Sequence, residues 1–157
     1  MLVLSSYRNT MYEILFTIMN TINNIQDEII EDFSMYDDWN DKYEYLIEFG
    51  KSLGKLDEQY KTEENRIHGC QSRVWLHGEI KDDKLFFYAD SDAIITKGIV
   101  GLLVRVLSGH TPNEIAESDL YFIEKIGLKD HLSPNRANGL VAMVKKMKTY
   151  GIAFQAK

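Results

Sequence analysis

The stretch from Ile94 to Leu107 constrains the fold more than any other part of this chain. Ile94, Ile95, Ile99, Leu102, Leu103, Val106 and Leu107 recur at helical spacing, and Val100 and Val104 fill the sides between them. A helix apolar nearly all round has no face to give to water, so other elements must enclose it. Asp92 is placed to cap this helix and Gly109 to stop it.

The flanking patterns supply the enclosing elements. Ile18, Ile22, Ile25, Ile29 and Phe33 predict a first helix. Asp37 or Asp38 opens a second, with the stripe Trp39, Tyr43, Leu46, Ile47 and Leu53 and with Gly54 to end it. Residues 55 to 66 are polar and read as a surface connection. Gln71 to Glu79 is rich in β-formers, with Val74 and Leu76 opposite Trp75 and His77. Asp82-Asp83 marks a turn, and Leu85 to Ala89 forms the second strand of a hairpin. A short third strand just before Cys70 would extend it.

Beyond the central helix, Thr111-Pro112-Asn113-Glu114 has the form of a capping box with proline at the first helical position. A short helix follows from Asp119 to Ile126. Ser133-Pro134 opens the last helix, whose face is Ala137, Leu140, Val141, Val144 and Met147. The expectation is an α+β fold, a small antiparallel sheet with about five to six helices on both sides of it. The 157 residues suit a single domain over 1–157. Residues 1–18 read as a variable N-terminal extension, with Met11 and Met19 as alternative starts.

Composition removes several functions. A net charge of −6 argues against nucleic-acid binding. Apolar runs fall short of the roughly 18 residues of a membrane span, and the N-terminus lacks a signal-peptide core, so the cytoplasm is the default compartment. With one cysteine there is no internal disulfide, no thiolate set for an iron–sulfur cluster and no zinc-binding cluster.

That cysteine lies in Ile67-His68-Gly69-Cys70-Gln71-Ser72-Arg73-Val74-Trp75. A free cysteine is most often a small buried hydrophobe. Cys70 instead follows Gly69, precedes Gln71-Ser72 at a turn into a strand, and belongs to no apolar periodicity. Arg66 and Arg73 flank it and would favour a thiolate, as would His68, although an exposed loop histidine is the plainer reading of His68. A cysteine hydrolase would need a histidine base among His68, His77, His110 and His131, and no hydrolase signature surrounds Cys70. Arg136 stands in the first turn of the last helix, where the helix dipole favours an acid. A surface arginine paired with an acid elsewhere is the plain alternative.

Three segments resemble one family. Gly69-Cys70-Gln71-Ser72 with Val74-Trp75 resembles the active-cysteine segment of the SufE sulfur-acceptor proteins. Asp90-Ser91-Asp92-Ala93 with Ile95 and Gly98 resembles that family's entry to its central helix. Leu132-Ser133-Pro134 with Arg136 and Gly139-Leu140 resembles its last-helix entry. The resemblance covers roughly residues 20 to 150. It implies an IscU-like fold and a persulfide-accepting Cys70, with Gly69, Gln71, Arg136, Asp92 and His68 in support. The sulfur donor would be a SufS-type cysteine desulfurase, which the acceptor stimulates, and the recipient the SufBCD scaffold. Pyridoxal phosphate would reside in the desulfurase, leaving the acceptor without cofactor or metal and not an enzyme by itself. A CsdE-like acceptor for a different desulfurase is the near alternative, and a homodimer stays open.

Overall fold

The computed structural model describes residues 2–155, with the side chains of 2–7, 18 and 19 left out. Seven α-helices are present among these residues: α1 (Leu2–Met19), α2 (Ile22–Ser34), α3 (Trp39–Lys51), α4 (Ile94–Leu107), α5 (Pro112–Glu117), α6 (Phe122–Lys125) and α7 (Pro134–Gln155). Two antiparallel strands, β1 (Val74–Lys81) and β2 (Lys84–Ser91), form the sheet. The α+β class stands. The extra helix is α1, which occupies the expected extension. The predicted first helix begins at Ile22 because Thr21 caps it, its side chain accepting from the backbone N–H of Asn24. Ile18, counted in that stripe, lies outside the described side chains.

Helix α4 is the expected enclosed element. Ile99, Val100, Leu102, Leu103, Val106 and Leu107 are all buried. Its closest neighbour is α3, and glycines set the approach. A Cβ on Gly101 would stand 2.4 Å from the carbonyl oxygen of Phe49, and one on Gly98 2.7 Å from that of Leu46. The helices therefore touch backbone to backbone, at a separation no other residue would permit. Asp38 caps α3, accepting from the N–H of Asp41 at 3.0 Å. The helix stops at Lys51 rather than at Gly54, with Ser52 as its C-cap.

The hairpin turns on Asp82 (φ 54°) and Asp83 (φ 63°), between the paired residues Lys81 and Lys84. Two consecutive left-handed residues match the twist of the flanking strands, and aspartate tolerates that conformation. Val74, Leu76 and Gly78 of β1 and Leu85, Phe87 and Ala89 of β2 are buried on one face, where β2 packs against α4. The other face is covered by a 3-10 turn (Glu58–Tyr60), not by helices: Tyr60 stacks on His77 at 3.8 Å and Lys61 lies over Trp75. The expectation of helices on both sides is thereby corrected. The connection at 55–66 also buries Leu56.

The third strand does not form among the described residues. Ile67 N–H donates to the Val74 carbonyl and Leu76 N–H to that of Asn65, making an isolated bridge at Arg66 and Trp75. Gly69, at φ 97°, then turns the chain away before a ladder can extend. The face of α7 also differs from the expected one. Gly139, Leu140, Met143, Met147 and Gly151 are buried, while Val141 is half exposed. Spacing of four selects these positions, and two of them are glycines that an apolar count passes over.

Candidate functional site

The loop from His68 to Arg73 lies between the bridge and β1, and Cys70 sits half-buried at its tip. Its thiol rests on α7. A Cβ added to Gly139 would come within 2.8 Å of Cys70 Sγ, so the absence of a side chain at Gly139 is what makes room for the sulfur. Beside the thiol is a cavity of about 40 Å³ bordered by Ser72, Thr96, Ile99, Asn135, Arg136 and Met143, among others. That is space for a small group, since one water needs about 10–15 Å³ on the same measure.

Both ends of the loop are tied. At the tip, Asn135 Nδ2 donates to Gln71 Oε1 at 3.3 Å. At the base, Asp92 accepts from Arg73 N–H through Oδ1 and from Arg73 Nε–H through Oδ2, both at 3.0 Å. Ser91 Oγ donates to the Arg73 carbonyl at 2.8 Å. This corrects the expected role of Asp92. The N-cap of α4 is Ala93, without a side-chain hydrogen bond, because the Asp92 carboxylate is turned to Arg73 instead. That guanidinium holds the Asp92 carboxyl below the usual carboxylate range.

The electrostatics also differ from expectation. Burial pushes the Cys70 thiol up. The flanking cations are engaged with acids, Arg66 with Glu63 at 3.3 Å and Arg73 with Asp92. His68 is exposed and 3.8 Å from Glu63. Arg136, although exposed, borders the same cavity as Cys70. The structure thus brings Cys70, Gly69, Gln71 and Arg136 together, holds Asp92 one residue layer away at the loop base, and turns His68 outward.

Histidines are absent from the cavity wall. His77 bonds Glu79 and stacks on Tyr60. His110 is buried, with its ring nitrogens against the Leu107 and Asn20 carbonyls. His131 stacks on Trp39 at 3.9 Å, and its backbone carbonyl accepts from the Tyr43 hydroxyl. The arrangement a cysteine hydrolase requires is not built at Cys70. No group of three or more His, Cys, Asp or Glu among the described residues is arranged to hold a metal, and no helix is long and apolar enough to cross a membrane. Sequence reasoning missed Gly139 as the thiol's floor and Arg73 as the loop's latch. A glycine four residues before Met143 and eight before Met147, in phase with the buried face of α7, was the available signal for the first.

Comparison with known proteins gives the following. The family model described as SufE, Fe-S metabolism associated domain, matches residues 27–151. An uncharacterized SufE-like protein of Rhizobium meliloti is 43% identical over 128 residues, covering 78% of this chain and 91% of the relative. One of Synechocystis is 41% identical over 128 residues, covering 82% of this chain and 80% of the relative. The chloroplastic/mitochondrial SufE-like protein 1 of Arabidopsis thaliana is 40% identical over 131 residues, which is 83% of this chain and 35% of that longer protein. The solution structure of a hypothetical protein from Thermus thermophilus superposes with a TM-score of 0.72 at 21% identity, covering 85% of this chain and 97% of that one, and supports the fold.

Proposed function

The chain belongs to the SufE family of Fe–S metabolism associated domains, and on that premise we propose that Cys70 accepts sulfur as a persulfide and carries it between proteins. The observation that carries this reading is a half-buried thiol beside a small cavity with no histidine in its wall. A hydrolytic nucleophile needs a proton acceptor of its own and room for an acyl group. A sulfur acceptor needs room for one additional sulfur.

The transfer is a thiol exchange. The Cys70 thiolate attacks the outer sulfur of a donor persulfide, the bond between the two donor sulfurs breaks, and the donor cysteine leaves as a thiolate. Cys70 then carries the outer sulfur, and the proton it lost compensates the donor thiolate. Cys70 rises from the thiol to the persulfide level as the donor cysteine returns from persulfide to thiol, so the two changes cancel and no outside oxidant or reductant enters. Because burial disfavours the Cys70 thiolate, the loop must move before attack. The ties at Gln71 and Arg73 are hydrogen bonds at the surface, weak enough to exchange when a partner docks. After transfer, return of the loop seats the added sulfur in the cavity that Arg136 borders.

The donor is a pyridoxal-phosphate cysteine desulfurase of the SufS type, the acceptor chain holds no cofactor of its own, and the recipient is the SufBCD scaffold. Clearing the donor's persulfide also speeds its turnover. Incubation with such a desulfurase and cysteine, followed by intact mass without reductant, should add one or more sulfur atoms to the native chain and none to Cys70→Ser. Equal addition to both chains would overturn the assignment.

A further inference from the structure

The cavity beside Cys70 has two ends of different character. At its mouth stand Asn135 and Arg136, both exposed. Its enclosed end lies between two helices, with Thr96 and Ile99 one turn apart on α4 and Gly139 and Met143 one turn apart on α7. Ile99 and Met143 are each 1% exposed and Gly139 has no side chain, so Thr96 supplies the polar group at this end.

Thr96 is itself buried, and its hydroxyl has no hydrogen bond among the described residues. A threonine inside a helix ordinarily turns its hydroxyl back to a carbonyl three or four residues before it. Thr17 and Thr149 do so, bonding the Glu13 and Lys145 carbonyls at 2.9 and 2.7 Å. For Thr96 those residues are Ala93 and Asp92, which precede the helix. The Ala93 carbonyl already takes the Lys97 N–H at 2.8 Å, and the extended backbone of Ala93 (φ −121°, ψ 133°) turns the Asp92 carbonyl off the helix axis. Every wholly enclosed side-chain nitrogen or oxygen among the described residues has a partner. The unpartnered Thr96 hydroxyl therefore reaches open space, and the open space at Thr96 is this cavity.

We infer that the Thr96 hydroxyl donates a hydrogen bond to the outer sulfur of the Cys70 persulfide and so fixes the carried sulfur in its seat. The inference rests on the sulfur-acceptor reading and names the group that recognises the cargo. A thiol sulfur is a weak acceptor, so the empty form leaves the hydroxyl idle. The outer sulfur of an ionised persulfide is a charged acceptor, and hydrogen bonds to charged groups are roughly twice as strong as neutral ones. An apolar pocket alone would penalise that charge, and a donor at its enclosed end offsets the penalty. Asn135 is engaged with Gln71 at 3.3 Å, and it stands in solvent. The hydroxyl of Thr96 thus favours the loaded state over the empty one.

Exchange at equilibrium tests this. The native chain, Thr96→Val and Thr96→Ser are each mixed with a fixed ratio of cysteine persulfide to cysteine. The fraction of Cys70 carrying one extra sulfur is read by intact mass once it stops changing. Thr96→Val keeps the shape and removes the donor, so its loading constant should fall about fivefold or more, the effect of one net hydrogen bond. Thr96→Ser keeps the donor and should stay within twofold of the native chain. In the empty form Thr96→Val should unfold in urea no earlier than the native chain, because an unpartnered buried hydroxyl is removed, and its Cys70 should alkylate at the native rate. Equal loading of the native chain and Thr96→Val overturns the inference. So does a Thr96→Ser that loads as poorly as Thr96→Val, or an empty Thr96→Val that is destabilised or alkylates faster, since either marks a packing role. The exchange uses no desulfurase. A native chain that loads here yet takes no sulfur from a desulfurase would sink the acceptor reading, whereas equal loading of Thr96→Val would sink this one alone.

Discussion

Replacing Gly139 by alanine tests whether helix α7 holds the thiol where it is. The new methyl would sit 2.8 Å from Cys70 Sγ and 3.5 Å from Cys70 Cβ. Something must give, and the sulfur, at the end of a short side chain on a loop, moves more easily than a helix backbone. Two effects on stability oppose each other. Alanine in place of glycine inside a helix favours folding by about 1 kcal/mol, and overpacking costs about 1–3 kcal/mol. The net change runs from none to a loss of about 2 kcal/mol, so the variant folds. Its chemistry should change far more. A thiol expelled from the cavity regains water, and its titration midpoint falls toward the ordinary 9.0. Near pH 7.5 the thiolate fraction, and with it the rate of iodoacetamide alkylation, rises about tenfold for each pH unit of that fall. The persulfide, once formed, should also be lost faster to added reductant. Alkylation rate against pH, on the native chain and on Gly139→Ala, is the assay. An unchanged midpoint and rate in a folded variant would refute the reasoning, because the thiol would then be sheltered by something other than its seat on α7.

Other expectations follow from the same geometry. Asp92→Ala removes both acceptors of Arg73, so amide exchange across 68–73 should quicken while the core amides of α4 keep their protection; uniform protection would show the latch to be idle. That latch should also weaken in acid, since the Asp92 carboxyl is held below its ordinary 3.8 and accepts less well once protonated. Gly101→Ala drives a methyl against the Phe49 carbonyl at 2.4 Å and should cost about 3 kcal/mol in urea unfolding, with a loss under 1 kcal/mol counting against the glycine contact. Folding favours the protonated Cys70, so the stability from that source is whole below about pH 9 and declines as pH rises through the folded midpoint. Denaturation from pH 7 to 10 should therefore show the native chain losing more than Cys70→Ser, and the reverse order would contradict the buried thiol.

The sequence made some of this plain and hid the rest for physical reasons. Helix α4 was legible because a run apolar on every side has few other solutions. The capping box at Thr111 and Glu114 was legible because capping is local, and the structure shows both of its hydrogen bonds. Cys70 stood out as a lone thiol outside any apolar period. Its charge state was not legible. Arg66 and Arg73 flank it in sequence, but their partners Glu63 and Asp92 are chosen by folding. The role of Asp92 was misread for the same reason. Aspartate before a helix is an N-cap by local rules, and the nearby Arg73 from another element outcompetes that role. The third strand failed because a single positive φ at Gly69 outweighs the β-propensity around it. Contacts made by glycines, at Gly98, Gly101 and Gly139, carry no apolar signal and appear only when two elements meet.

The seat of Cys70 against Gly139 also decides what the protein ignores. Peroxide and small electrophiles react with thiolates, and burial keeps this sulfur protonated while the loop is shut. Because the thiol is half-buried against α7, bulky disulfides such as oxidised glutathione should react with it more slowly than with a free thiol. The resting protein should therefore survive mild oxidative stress with its thiol intact. Discrimination among sulfur reagents then comes from which of them can open a loop, not from intrinsic nucleophilicity. On the proposed function, such a thiol is loaded by a protein that docks and passed over by solutes that merely collide.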